Sequence, residues 1–238
     1  MGRRPRPGYG GVAMANPLVP SSARDRPLLR GWLHAAVVPL ALLGLWALWL
    51  RTDHLSVPGR LPVFVFGVSL VGLYTVSSVY HVPRRWSARV RDLLCRCDGA
   101  MIQLFIIATF TPVAFYTLSG PWRVWSLTLA WVVGVVGAVI AVSPLRAPPW
   151  VAAAAFVAVG WLLVIPLVRV AMLLPWEGTG LIAVGGVLYT LGALVYARRW
   201  PDPLPRVLGY HEVFHLLVVA ASAVHYVAIW RWVLPGGS

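Results

Sequence analysis

The sequence predicts an all-α integral membrane protein that folds as a bundle of seven transmembrane helices. Hydrophobic residues make up 59% of the 238-residue chain, and the mean hydropathy of +0.77 lies far outside the range of soluble globular proteins. The apolar residues are gathered in seven runs, each long enough to cross the ~30 Å hydrocarbon core of a bilayer. The runs cover residues 33–50, 61–80, 100–118, 122–142, 151–174, 180–197 and 211–234.

The chain is predicted to have two parts. Residues 1–30 are rich in Pro, Gly, Ser and Arg, and this composition predicts a disordered basic tail because it cannot bury enough apolar surface to fold. Residues 31–238 are predicted to form one seven-helix transmembrane domain, which leaves no room for a second soluble domain. Pro39 and Pro166 fall inside the first and fifth runs, where a proline can kink a helix.

The placement of arginine predicts the orientation of the bundle. Fifteen of the 20 arginines lie in the tail and in the second, fourth and sixth loops, four lie in the other loops and at the C-terminal end, and Arg169 lies inside the fifth run. Because loops rich in positive charge stay in the cytoplasm, we expect a cytoplasmic N-terminus and an external C-terminus in the plasma or inner membrane. A G-protein-coupled receptor has the opposite orientation.

Composition also excludes several classes of function. The net charge of +13 indicates contact with anionic lipid rather than nucleic acid, because no soluble basic domain remains to bind a nucleic acid. The chain has no lysine, so it cannot form the Schiff base that retinal requires. Cys95 and Cys97 lie in a loop that is predicted to be cytoplasmic, where they are expected to be reduced thiols rather than a disulfide.

The predicted topology brings four ionisable residues to one end of the bundle. The second helix runs inward and ends at His81, and the third helix returns from Asp98. The seventh helix also starts inside, with His211 and His215 in its first turns. All four residues should therefore lie at one depth near the cytoplasmic face, and ionisable groups inside spanning segments are candidates for function.

These residue types suit a zinc ion. His211 and His215 are four residues apart, so they share one helix face, and His81 supplies a third imidazole from another helix. Three protein ligands and a water molecule are the usual catalytic zinc arrangement. Asp98 could be a fourth ligand, or it could act as the general base on the water. Ser77 lies one turn before His81, where it could orient the water or stabilise an oxyanion.

Four further polar residues lie near this site or deeper in the bundle. His34 lies at the same end of the first helix, where a supporting role near the metal remains open. His225 lies ten residues past His215, ~15 Å deeper, which is too distant to share the ion. Ser222 and Thr109 could line a polar cavity with Ser77, or they could form ordinary hydrogen bonds between helices.

Residues 211–215 also spell H-E-x-x-H, the signature of zinc metalloproteases, with Glu212 in the position of the base. Such proteases take their third ligand from downstream of the motif. Only 23 residues follow His215, and none of them is Asp or Glu. One helical step also turns Glu212 ~100° away from His211, so it need not face the ion. The protease interpretation is therefore disfavoured.

Three motifs, in this order, resemble the hemolysin III family, which is grouped with the progestin and adipoQ receptors. They are Ser77-Ser78-Val79-Tyr80-His81, then Arg96-Cys97-Asp98 with Thr109-Phe110-Thr111-Pro112 downstream, then His211-Glu212-Val213-Phe214-His215 with His225-Tyr226 downstream. The resemblance covers the seven-helix region. It implies zinc bound near the cytoplasmic face by His81, His211 and His215, with Asp98 and Ser77 near the metal water. Gly99 departs from the family, which commonly has His after the Asp.

Two hypotheses of function follow. The wider superfamily includes alkaline ceramidases, and this resemblance implies a zinc-dependent hydrolase of membrane lipid amides or esters. The alternative is a non-catalytic, receptor-like or membrane-homeostasis protein in which zinc only ties three helices together. Membrane lipids are the expected partners in both cases.

The arginine distribution leads to a first prediction. A topology reporter fused after Ser238 should be active only outside the cytoplasm, because the arginine-rich loops hold the N-terminus inside. The measurement compares a reporter that is active in the cytoplasm with one that is active outside, each fused at the same position. Cytoplasmic activity at Ser238 would overturn the predicted orientation.

Overall fold

The computed structural model describes residues 27–83, 85–143 and 148–235. Within this part of the chain, seven helical spans are long and apolar enough to cross a membrane, and this confirms the predicted number of spans. The helices are α1 (Trp32–Arg51), α2 (Val57–His81), α3 (Ala88–Thr117), α4 (Gly120–Val142), α5 (Pro149–Leu162), α6 (Val164–Ala171), α7 (Trp176–Arg198) and α8 (Tyr210–Ala228). Residues 1–26, most of the predicted tail, lie outside the described residues.

Capping residues and prolines set several helix starts. The hydroxyls of Ser56 and Ser87 accept hydrogen bonds from the backbone N–H groups of Gly59 and Val90, each at 3.4 Å, and so satisfy N–H groups at the starts of α2 and α3. Proline in the first turn of α2 fits the same boundary, because those positions have no intrahelical N–H bond to lose. The helix α2 therefore begins before the predicted run 61–80.

The helix α3 differs most from its predicted run. It begins at Ala88, twelve residues before the run 100–118. Its first three turns carry five charged residues and are exposed or half-buried. An ion pair of 2.6 Å between Arg96 and Asp92, four residues apart, supports them. Hydropathy does not detect such a segment. Asp98 consequently lies about three turns into the helix and not at its start.

The fifth span is interrupted and the seventh ends irregularly. The break between α5 and α6 falls at Leu163, because Pro166 has no N–H to donate to the carbonyl of Leu162. The last span continues past α8 as a π-helical turn, Ile229–Val233. There the N–H of Leu234 donates to the carbonyl of Ile229 at 3.0 Å.

The helices pack mainly against their neighbours in sequence, and α1 contacts α8, so the bundle closes on itself. The helix α3 is the most central, since 61% of the residues in its most apolar stretch are buried. The corresponding share is 17% in α1 and in α7. Phe66, Tyr74, Phe105 and Ile107 belong to the core that surrounds it. Large apolar side chains cover much of the outer surface, as contact with lipid requires.

A row of glycines brings α7 close to α8. Gly178, Gly185 and Gly192 are spaced by seven residues on α7, so they lie on one face. A Cβ atom at these positions would meet Trp232 and His225 of the last span, and at position 192 it would meet Phe214 and Leu217. These bulky side chains of the last span therefore lie directly over the α7 backbone.

The glycine row leads to a second prediction, which compares two neighbouring positions. Gly185→Ala should destabilise the protein by about 1–3 kcal/mol, because the added methyl group overlaps the buried His225 ring. Gly186→Ala is the matched control, since beyond its own stretch of α7 no atom of the described residues lies within 4 Å of the added Cβ. It should raise stability by up to about 1 kcal/mol through helix propensity.

Thermal unfolding in detergent measures both variants. Equal melting temperatures for the two alanine variants would contradict the close packing of α7 against α8.

Candidate metal centre

Three histidines from two helices meet at one end of the bundle. His81 is the last residue of α2, and His211 and His215 lie in the first turns of α8. One ring nitrogen of each histidine lies within 4.8 Å of the others. The ring centroids of His81 and His211 are 4.7 Å apart, and those of His211 and His215 are 4.6 Å apart. His81 and His215 are buried, so this is an interior cluster.

The spacing between His81 and His211 fits two ligands of one metal ion. Two imidazole nitrogens on a tetrahedral zinc ion, each at ~2.0–2.1 Å, are separated by about 3.4 Å. The Nε2 atoms of His81 and His211 are 3.3 Å apart. This distance also allows an N–H···N hydrogen bond between them. Neutral imidazoles are good ligands for zinc and for other first-row divalent ions, so the three residues could hold such an ion.

Asp98 approaches this cluster from α3. Its Oδ2 lies 3.5 Å from Nε2 of His81, and the side chain is 17% exposed. Because α3 begins about three turns before Asp98, this residue lies inside the helix, beside the end of α2. Ser77 is buried on α2, one turn before His81. The end of α2 and the third turn of α3 thus place a carboxylate beside the imidazoles.

Glu212, inside the H-E-x-x-H sequence, has a structural role. One carboxylate oxygen accepts a hydrogen bond from Arg30 Nε in an ion pair, and the other accepts from the Gly209 N–H at 2.9 Å. The side chain is fully buried and caps the start of α8. Sequence analysis missed this pair, although a carboxylate inside a spanning segment requires a cation and Arg30 is the last arginine before the first span.

His34 of α1 lies on the face of His215. The two ring planes are nearly parallel, at 6°, and their centroids are 3.8 Å apart. Tyr74 of α2 contacts His34 edge to face, with centroids 4.9 Å apart. Sequence analysis left a supporting role for His34 open. The structure places it against one member of the cluster but outside the group of converging nitrogens.

Ser222 and Thr109 both have hydrogen-bond partners inside the bundle. The Tyr74 and Ser222 hydroxyls are hydrogen-bonded to each other, and Thr109 donates to the carbonyl of Phe105 at 2.8 Å. These contacts favour the hydrogen-bonding interpretation of Ser222 and Thr109 over the polar cavity. His225 lies outside the three-histidine cluster, as its position in sequence predicts.

The fold and the cluster together define a multi-pass helical membrane protein with three buried or half-buried histidines at one end of the bundle. The chain belongs to the family described as Haemolysin-III related, whose sequence profile matches residues 22–226. This membership confirms the resemblance seen in the three motifs.

Curated relatives span the same region. The chain is 28% identical over 202 residues to Hemolysin-3 of Bacillus cereus, covering 83% of this chain and 89% of the relative. It is 24% identical to the human monocyte to macrophage differentiation factor, covering 84% and 82% of the two chains. It is 30% identical to the Heptahelical transmembrane protein ADIPOR2 of Oryza sativa, covering 72% and 84%.

The geometry of the cluster leads to a third prediction. Protein purified without chelators should carry about one zinc ion per chain, because three imidazoles converge on one point. The double change His211→Ala/His215→Ala should remove most of the metal, whereas His225→Ala should leave it in place. Elemental analysis of the purified proteins measures the content. Equal metal in the wild type and the double variant would rule out this cluster as the site.

Proposed function

We propose that this protein is a membrane-embedded, zinc-dependent hydrolase of membrane lipid amides or esters, similar to the alkaline ceramidases. The observation that carries the proposal is the convergence of His81, His211 and His215 within 4.8 Å, with the Asp98 carboxylate 3.5 Å from His81. Three imidazoles that leave one coordination position open are typical of catalytic zinc.

The proposed metal ligands are His81, His211 and His215. A zinc ion held there would acidify a water molecule and polarise the carbonyl of the substrate. Asp98 accepts a proton from the attacking water and returns it to the leaving amine or alcohol as the C–N or C–O bond breaks. Ser77, buried one turn deeper on α2, orients the carbonyl or the water through its hydroxyl.

Two features support a lipid over a peptide as the substrate. The helices expose large apolar side chains over much of their outer surface, so a lipid in the bilayer lies beside the bundle. The carboxylate that would serve as base in a metalloprotease, Glu212, already binds Arg30 and the Gly209 N–H. The arginine distribution further supports a site at the cytoplasmic face of the plasma or inner membrane.

A second candidate function is a non-catalytic, receptor-like or membrane-homeostasis protein with structural zinc. The position of Asp98 favours it, because a carboxylate 3.5 Å from His81 Nε2 is close enough to become a fourth ligand. Four protein ligands would close the coordination sphere, as in structural zinc sites.

A fourth prediction separates the two functions. If Asp98 is the base, Asp98→Asn should retain zinc and melting temperature but lose turnover by about 10²-fold or more. The amide keeps the shape of the carboxyl group but cannot accept the proton. If Asp98 is a ligand, the same change should lower zinc content and melting temperature together, because bound metal stabilises the folded state.

The experiment measures zinc, melting temperature and hydrolysis of ceramide and acyl-ester lipids in one preparation of each protein. Asp92→Asn is a matched control, since Asp92 lies on the same helix and pairs with Arg96. Wild-type protein that carries zinc but hydrolyses none of these lipids would exclude the enzyme for these substrates and favour the structural role.

A further inference from the structure

The start of α1 contacts both helices that carry the three histidines. Arg30 pairs with Glu212 of α8, and His34 stacks on His215 of the same helix. Between them, Gly31 has a positive φ of 81°, and a Cβ atom there would lie 2.6 Å from Cβ of His81. Residues 30–34 are therefore packed against the cluster although none of them belongs to it.

The contact between His34 and His215 differs in geometry from the ring contacts among the three clustered histidines. The rings of His81, His211 and His215 meet each other at 59–69°, as expected for ligands that approach one point from different directions. His34 is instead nearly parallel to His215, at 6° and 3.8 Å. An imidazole binds a metal in the plane of its ring, so the face of His215 is free for stacking while its edge is directed into the cluster.

In the described residues, His215 contacts a neighbour through its ring face and not through a protein hydrogen bond at Nδ1. A metal-binding histidine almost always donates its second N–H to a carboxylate, a carbonyl or water, and this bond fixes the plane of the ring. Among the described residues, Nδ1 of His215 has no hydrogen-bond partner. A flat neighbour at van der Waals distance resists rotation of the ring and can replace that bond.

His34 is itself held in place. It is 2% exposed, and Tyr74 contacts it edge to face. The Tyr74 hydroxyl is hydrogen-bonded to Ser222 of α8. The ring of His34 thus lies between α2 and α8, which are the two helices that supply the cluster.

We propose that His34 is a positioning residue that fixes the plane of the His215 imidazole through its ring face, so that His215 points at the metal. The proposal rests on the proposed metal centre but not on the identity of the substrate. It requires the flat aromatic face of His34 and not its nitrogens.

Substitutions that separate the ring face from the nitrogens test this. His34→Phe keeps a flat ring without nitrogen, whereas His34→Leu and His34→Gln remove the ring. The full-length chain in detergent is stripped with a chelator and titrated with Co²⁺, whose visible absorption reports coordination geometry. Both ring-less variants should bind Co²⁺ at least about tenfold more weakly than the wild type and show an altered spectrum. His34→Phe should keep the wild-type affinity and spectrum.

Tyr226→Leu is the matched control for packing between α1 and α8, because the Tyr226 hydroxyl donates to the Gly44 carbonyl at 2.9 Å in another part of the same interface. It should lower the melting temperature without changing the Co²⁺ spectrum. A change in the spectrum with this variant would show that any loosening of the interface suffices, and it would overturn a specific role for His34.

The other outcomes are also distinct. A His34→Phe protein that behaves like the ring-less variants would show that a nitrogen of His34 is needed, and ring-less variants equal to the wild type would show that no positioning occurs. Either result overturns this proposal and leaves the metal centre intact. Wild-type protein that binds no Co²⁺ would instead overturn the metal centre. Because two ring-less side chains of different polarity are used, one that fails to fold does not prevent the comparison.

Discussion

The ion pair between Arg30 and Glu212 is the contact on which the geometry of this bundle depends. A carboxylate without accessible surface in an apolar interior requires an opposite charge and hydrogen-bond donors. Arg30 and the Gly209 N–H provide both. The pair joins the residue just before the first span to the first turn of the last span. It thereby closes the bundle at the end where the histidines lie, and it sets where α8 begins relative to α1.

The histidine cluster follows from this closure and from the alternating direction of the helices. His81 ends one span, and His211 starts another, so both lie at the same end of the bundle. The four-residue spacing of His211 and His215 then directs both rings to the same side of α8. All three histidines therefore lie on helices, and Glu212 caps the start of α8, the helix that carries His211 and His215.

Much of this arrangement could be predicted from the sequence, because hydropathy and the direction of successive spans depend only on the order of residues. Hydropathy predicts the seven spans, and the direction of the spans predicts that His81, His211 and His215 meet at one end of the bundle. The early start of α3 was not predictable from apolar runs, because a serine cap and an Arg–Asp pair extend the helix through polar residues. The stacking of His34 on His215 depends on how α1 is rotated about its axis, which a helix of nearly uniform hydrophobicity does not reveal.

The glycine row of α7 has a consequence for the way the protein can vary. The helix α7 supplies none of the three histidines, yet Trp232, His225 and Phe214 of the last span lie over its glycines. These contacts oppose rotation of α8, and a rotation of one residue would turn His211 and His215 by ~100°. Sequence drift on α7 should thus be uneven. The lipid-facing positions can exchange one apolar residue for another. Gly178, Gly185 and Gly192, in contrast, are constrained by a histidine cluster to which α7 contributes no residue.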